Sequence, residues 1–239
     1  MTRDHRAIAE IPWPVWIALA LCLVLQFAWR ATGPAPSAED LPSAPRGGML
    51  RLASFGEPAA AARLAMLYVQ AFDLHANNSL AYRRLDYARL VAWLGAILDA
   101  DPRSEYPLFA AARVYAEVPD EGRARLALEF IYEEFSKDPN RRWPWLTHAA
   151  LLARHRLKDL PLALRYASAI EQRTTSDAVP LWARQMKIFI LEDMNELEAA
   201  KILLGGLLAA GRIADPAERR FLQGRLDQLE RRLRGGKEK

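Results

Sequence analysis

The sequence predicts an all-helical protein: an apolar N-terminal helix long enough to span a bilayer, followed by amphipathic helices in repeated pairs. Three observations carry this reading. Residues 11–29 hold no charged side chain. From residue 49 onward apolar positions recur at helical spacing, without the period-two alternation that marks strands. One pattern, a turn, an acidic residue and an alanine four positions later, returns four times along the chain.

Residues 1–10 read as a short tail carrying Arg3 and Arg6, and residues 11–30 as a membrane anchor. From Ile11 to Trp29 only Gln26 is strongly polar. Nineteen residues at about 1.5 Å each measure roughly 28 Å, close to the hydrocarbon thickness of a bilayer. Trp13 and Trp16 stand near one end and Trp29 near the other, where indoles favour the two interfaces. Pro12 and Pro14 fall in the first turn, where a missing N–H does little harm. A cleaved secretory signal has a shorter apolar region, of about 7–15 residues, and ends at a small-x-small site. Here Trp29-Arg30 stands where the cut would fall, which favours an uncleaved anchor over a signal peptide or a buried soluble helix. Cys22, the only cysteine, lies inside the run, so no intrachain disulfide or cysteine metal site can form. Its neighbours, Leu21 and Leu23-Val24-Leu25, do not fit a lipoprotein signal.

Lys and Arg near the two ends of the span give no decisive asymmetry. The commoner arrangement is a short cytoplasmic tail and a large exported domain. It puts the chain in the inner (plasma) membrane as a single-pass protein, with residues 31–239 outside the cytoplasm.

Residues 31–48, ATGPAPSAEDLPSAPRGG, are rich in Pro, Ala, Ser and Gly and show no apolar periodicity. That composition buries too little surface to offset chain entropy, so a semi-extended linker is expected. Residues 49–234 then read as a helical repeat domain, and 235–239 as a basic tail.

The repeated segments begin at Glu57, Asp120, Asp159 and Glu196, with Ala61, Ala124, Ala163 and Ala200 at the fourth position after each start. At the seventh stand Leu64, Ala127, Tyr166 and Leu203, at the eighth Ala65, Leu128, Ala167 and Leu204, and at the eleventh Tyr68, Ile131, Ile170 and Leu207. Those positions share one helix face. The acid suits the positive end of the helix dipole, and the alanine lets a neighbouring helix approach closely. A weaker copy starts at Asp86, with Leu90, Leu94 and Ile97 on the same face. Helix ends fall near Asp101-Pro102, Asp138-Pro139, Val179-Pro180 and Asp215-Pro216, since proline disfavours helix in the residue before it. Partner helices are expected over about 105–117, 143–157, 180–193 and 217–234.

A helix pair every 34–40 residues, with a small residue in its second helix and a proline after it, resembles the tetratricopeptide-repeat superfamily. The resemblance covers about residues 49–216. It implies a stack of helix pairs, an α-solenoid, whose curvature leaves a groove, and a role in protein–protein interaction. The last helix carries Phe221, Leu222, Leu226, Leu229 and Leu233 on one side and arginines elsewhere, as a terminal cap requires. The same leucines are also spaced to zip two copies of the chain together, although the stretch is short for a coiled coil.

Hydrophobic residues make up 51% and charged residues 26%, enough apolar surface for a packed core. The 33 basic and 29 acidic residues are interleaved, as on a solvated helix surface, and no nucleic-acid-binding module is recognisable. No phosphate-binding loop, dinucleotide fingerprint, nucleophile elbow or zincin motif is present. His148 and His155 lie seven apart on one expected helix without a third ligand, which reads as two boundary imidazoles. Glu133-Glu134 and Glu192-Asp193 read as solvated carboxylates. Asn77-Asn78-Ser79 fits a glycosylation sequon. Arg154-His155-Arg156-Leu157-Lys158 reads as a basic helix end complementing the dipole. One stretch suggests a contact site: Arg141-Arg142-Trp143-Pro144-Trp145. Tryptophan and arginine are enriched at binding hot spots, so Arg141, Arg142, Trp143 and Trp145 are the candidate partner-binding residues. The alternative is that the two tryptophans plug the gap between repeats.

These readings converge on a membrane-anchored interaction scaffold or assembly factor, with other envelope proteins as partners and the bilayer contacted through residues 11–29. A fixed accessory subunit of an envelope complex is the second reading. No enzyme activity, cofactor, metal or nucleic acid is expected.

Overall fold

A computed structural model describes residues 12–32, 41–46, 48–72, 85–211, 213 and 215–237. The tail 1–10, the sequon at 77–79 and the last two residues lie outside these. The described residues are all-α, with no strand among them. The chain divides into two compact units, Met1–Ser37 and Ala38–Lys239.

The first unit holds α1, Trp13–Thr32. Its side chains are described through Ala28, and all from Trp13 onward are exposed. Among the described residues no helix is long and apolar enough to cross a membrane. The span expected over 11–29 is therefore not found as such, and Ile11 lies outside the described residues.

The second unit contains α2 (Met49–Leu52), α3 (Pro58–Ala71), α4 (Tyr87–Ala100), α5 (Tyr106–Arg113), α6 (Glu121–Lys137), α7 (Pro139–His155), α8 (Leu160–Arg173), α9 (Leu181–Asp193), α10 (Leu197–Ala209) and α11 (Pro216–Lys237). All five acidic residues that mark the repeats are N-caps. The Asp86 carboxylate accepts from Ala88 N at 2.9 Å and Arg89 N at 3.2 Å. Asp120 accepts from Arg123 N at 2.8 Å and Asp159 from Leu162 N at 2.9 Å. Glu57 and Glu196 cap without a side-chain bond, because the extra methylene carries the carboxylate past the first-turn amides. The Leu162 amide, and then Arg125, hold the Asp159 carboxyl below its ordinary range.

The repeated face is the buried face in four of the five copies. Leu90, Leu94 and Ile97, Ala124, Leu128 and Ile131, Ala163, Ala167 and Ile170, and Ala200 and Leu204 are each at most 1% exposed. In α3 the face is rotated by one residue. Ala62, Ala65, Met66 and Val69 are buried, whereas Ala61 is only half-buried and Leu64 is 67% exposed. The run Ala59–Ala62 and apolar residues nearly all round this helix, with Arg63 its only charge, leave no face marked in the sequence. Enlarging Ala163 should overpack the core at a cost of about 1–3 kcal/mol, while enlarging Ala61 should cost far less. Thermal melts of Ala163→Leu and Ala61→Leu check this, and equal melting temperatures would contradict the register.

Each helix from α3 to α11 packs on its sequence neighbours, and α4 with α6, α5 with α7 and α7 with α9 also meet. The side-chain ties joining one helix pair to the next fall at a near-constant separation. Gln70–Tyr106 spans 36 residues, Arg125–Asp159 34, Asn140–Thr175 35, Arg173–Ser136 37 and Glu192–Arg225 33. One core runs from Leu41 to Ile190, and a smaller one joins Ile188, Leu191, Ala200, Leu204, Ile213, Leu222 and Leu229.

Two sequence expectations change here. The linker 31–48 is not a free tether throughout: Leu41 is fully buried, Arg89 donates to its carbonyl at 2.9 Å and the Trp93 indole donates to the Pro42 carbonyl at 2.8 Å. A single apolar anchor leaves no periodicity to read, and the second compact unit begins at Ala38. In α11, Leu222 and Leu229 are buried with Leu226 packed beside them, but Phe221 points to solvent. One residue from Leu222 is about 100° round the helix, which takes Phe221 off the packing face.

Candidate functional site

The Arg141–Trp145 stretch divides into two roles. Asp138 ends α6 and caps α7, whose first residue is Pro139, so the helix begins before the tryptophans and runs on through Pro144. This turns Arg142 inward, where it is 5% exposed. Its guanidinium donates to Glu134 Oε2 at 2.6 Å, to the Glu134 carbonyl at 2.8 Å and to the Pro102 carbonyl at 3.2 Å. Arg141 donates to the same Pro102 carbonyl and pairs with Asp138 at 3.4 Å. The terminal guanidinium nitrogens of both arginines are thus engaged inside the chain, and Arg142 is buried rather than at the surface. Glu134, expected in solvent, is 4% exposed and also accepts from Lys137. Its neighbour Glu133 faces out, as adjacent residues on a helix must. Glu192 corrects in the same way: it is buried and bound to Arg225 of α11, while Asp193 takes Arg154 of α7.

The tryptophans take the second role. Trp143 and Trp145 lie about 100° to either side of Pro144, which faces solvent, and each is half-buried. Trp145 meets Phe109 of α5 edge to face, with centroids 5.9 Å apart. Phe109 in turn stacks on Tyr106 at 6.2 Å. Trp143 meets Trp182 of α9 edge to face at 5.6 Å. The result is a broken row of five rings in the first two turns of their helices: Tyr106, Phe109 and Trp145 join α5 to α7, Trp143 and Trp182 join α7 to α9, and the two groups sit well apart round α7. Trp182 is 51% exposed, and Phe109 and Tyr106 are similarly open. The rings fill gaps between helix pairs and still present faces and edges outward. The row ends at Tyr106, on an open cleft of about 470 Å³ that is also lined by Arg63, Met66 and Asp101.

Tyr106, Phe109 and Trp182 were missed in the sequence. Phe109 stands 36 residues before Trp145 and Trp182 stands 39 after Trp143, so scanning at the repeat period would have found them. Such a row offers planar, amphipathic area at little entropic cost, the chemistry of a protein contact.

Of the two histidines, His155 is exposed and His148 half-buried. Burial, helped by the Arg113 charge and opposed by Glu117, holds the His148 imidazole below its ordinary pKa. Among the described residues no three His, Cys, Asp or Glu side chains are grouped to hold a metal. The basic end of α7 is a clasp as well as a dipole partner: Arg156 donates to the Ala116 and Val118 carbonyls of the corner between α5 and α6. The aligned alanines Ala124, Ala163 and Ala200 lie in the core rather than at this face.

In comparisons with known proteins, no family model, no curated protein and no solved structure matches the chain.

Proposed function

We propose that this protein is a membrane-anchored interaction scaffold, whose tetratricopeptide-like stack of helix pairs presents the α5–α7–α9 aromatic row to another envelope protein. The row is the observation that carries the reading: five half-open rings from three successive pairs, in two contacting groups, one of which reaches a cleft at Tyr106. The near-constant separation of the ties between pairs supports the repeat stack, since units of a stack touch only their neighbours. An anchoring role for α1 rests on its exposed apolar surface, which carries no charge between Trp13 and Ala28. A helix apolar all round belongs in a core or a bilayer. The exported arrangement, with the N-terminus in the cytoplasm, is part of the proposal. No catalytic residue or cofactor is assigned.

The test is site-directed photocrosslinking in intact membranes. A photoreactive phenylalanine analogue at positions 109 and 182 should trap one common protein, and the same group at Leu126 of α6 should not. Trp182→Ala should weaken binding of that protein by about 2 kcal/mol, roughly thirtyfold, as loss of a hot-spot aromatic does. Different adducts from 109 and 182, or the same adduct from 126, would remove the row as the binding face.

A further inference from the structure

The first edge of the helical domain carries a second exposed apolar group, in α2 and the turn that follows it. In α2, Leu50 packs on the core while Met49 is 55% and Leu52 84% exposed. Phe55 follows in the turn, 98% exposed. These three stand at spacings of three, so successive turns of the segment offer an apolar side chain to solvent. Phe55 has φ 48° and Gly56 φ 94°. A left-handed conformation at a bulky residue is costly, and here it holds the phenyl clear of the domain. On the next helix Leu64 and Leu67 are exposed as well.

The described charges nearest this group are Arg46 and Arg51, with Glu57 exposed just beyond the turn. Arg46 and Arg51 are exposed, and among the described residues neither has a carboxylate within ion-pair distance. Between residues 41 and 56 there is no acidic side chain at all. Apolar side chains flanked by arginines are what an anionic bilayer surface binds: the rings and aliphatic tips enter the acyl boundary, and the guanidinium groups meet headgroup phosphates. The covalent link from Thr32 of α1 to Leu41 is eight residues, 33–40, at most about 28 Å of extended chain. A link of that length lets this edge reach a bilayer that α1 would occupy.

We propose that Met49, Leu52 and Phe55, with Arg46 and Arg51, form an interfacial foot that rests on anionic phospholipid. This rests on the anchor reading given above. The foot fixes which end of the domain meets the bilayer, so the aromatic row is held at a set height over the membrane.

The experiment uses the full chain with Cys22→Ser, reconstituted in vesicles of equal parts phosphatidylcholine and phosphatidylglycerol. Single cysteines replace Leu52, Phe55 or, as control, Leu126, each carrying a nitrobenzoxadiazole label. Flotation with the vesicles reports the anchor independently. Labels at 52 and 55 should shift to the blue and be quenched by lipids bearing a nitroxide near the headgroup; the label at 126 should do neither. Arg46→Gln and Arg51→Gln should each lower the ratio of inserted to exposed label about fivefold, the effect of about 1 kcal/mol per cation at an anionic surface. If the chain floats and both labels stay water-exposed, the foot is wrong and the anchor stands. If the chain does not float, anchor and foot fall together. A blue shift that follows protein concentration without lipid would assign the edge to a second copy and end the proposal.

Discussion

Glu134→Ala should destabilise the helical domain by about 3–5 kcal/mol, because it leaves Arg142 charged and buried without its counter-ion. The carboxylate lies between Arg142 at 2.6 Å and Lys137 at 2.5 Å, and only the lysine reaches solvent. For a chain of this length about 2–4 °C of melting temperature accompanies each kcal/mol, so the drop should be roughly 6–20 °C. Replacing both partners with apolar residues, Glu134→Leu with Arg142→Met, should recover most of the loss, since a buried pair is held at a large desolvation cost to begin with. A single variant that melts within about 1 kcal/mol of the parent would show that the pair is not buried as described. A double variant as weak as the single one would show that Arg142 acts through the Pro102 carbonyl instead.

Tyr166→Ala should cost a similar amount, about 3–5 kcal/mol, as truncation of a large buried ring does. The side chain is fully buried in α8, stacked on Tyr132 of α6 at 5.5 Å, and the Arg165 guanidinium lies over both rings. Tyr166→Phe keeps the ring and loses only a hydroxyl 3.5 Å from Glu129, so its cost should stay under about 1 kcal/mol. Burial pushes the phenol up to about 12. Above its ordinary value near 10 the unfolded chain gives up this proton first. The stability tied to the phenol is therefore complete below about pH 10 and is lost as pH rises through about 12. Urea titrations between neutral pH and pH 11 should show a steeper decline for the parent than for Tyr166→Phe. Parallel declines would place the titration elsewhere.

The helix starts were legible because capping chemistry is local: an aspartate and the amides two or three residues on are enough to mark one. The buried face was legible wherever polar residues bracketed it, as in α6 and α8. It failed in α3, where alanine and leucine occupy nearly every direction and only packing on α4 decides. Arg142 was misread because its partners lie 8 and 40 residues away, and a cation beside two indoles looks the same in sequence whether it points in or out. Leu41 was misread for a related reason, since one docked side chain has no period. Two of the five rings of the aromatic row were visible, as Trp143 and Trp145. The rest depended on which helices meet, information that the repeat period holds but the local motif does not.

The short reach of the ties has a consequence for how the domain comes apart. Among the described residues no side-chain tie runs from the first pair to the last, so the C-terminal end is held by its own neighbours. In the smaller core α10 and α11 are held on α9 by Glu192–Arg225 and by Ile188 and Leu191, and α9 is tied back to α7 by Arg154–Asp193. Opening there exposes a modest apolar area and leaves the core from Leu41 to Ile190 whole. The molecule should therefore fray from α11 inward, and the α5–α7–α9 row lies just inside the stretch that frays. A partner seated on the row would grip α9 as well as α7, and in doing so would lock the loosest end of the chain.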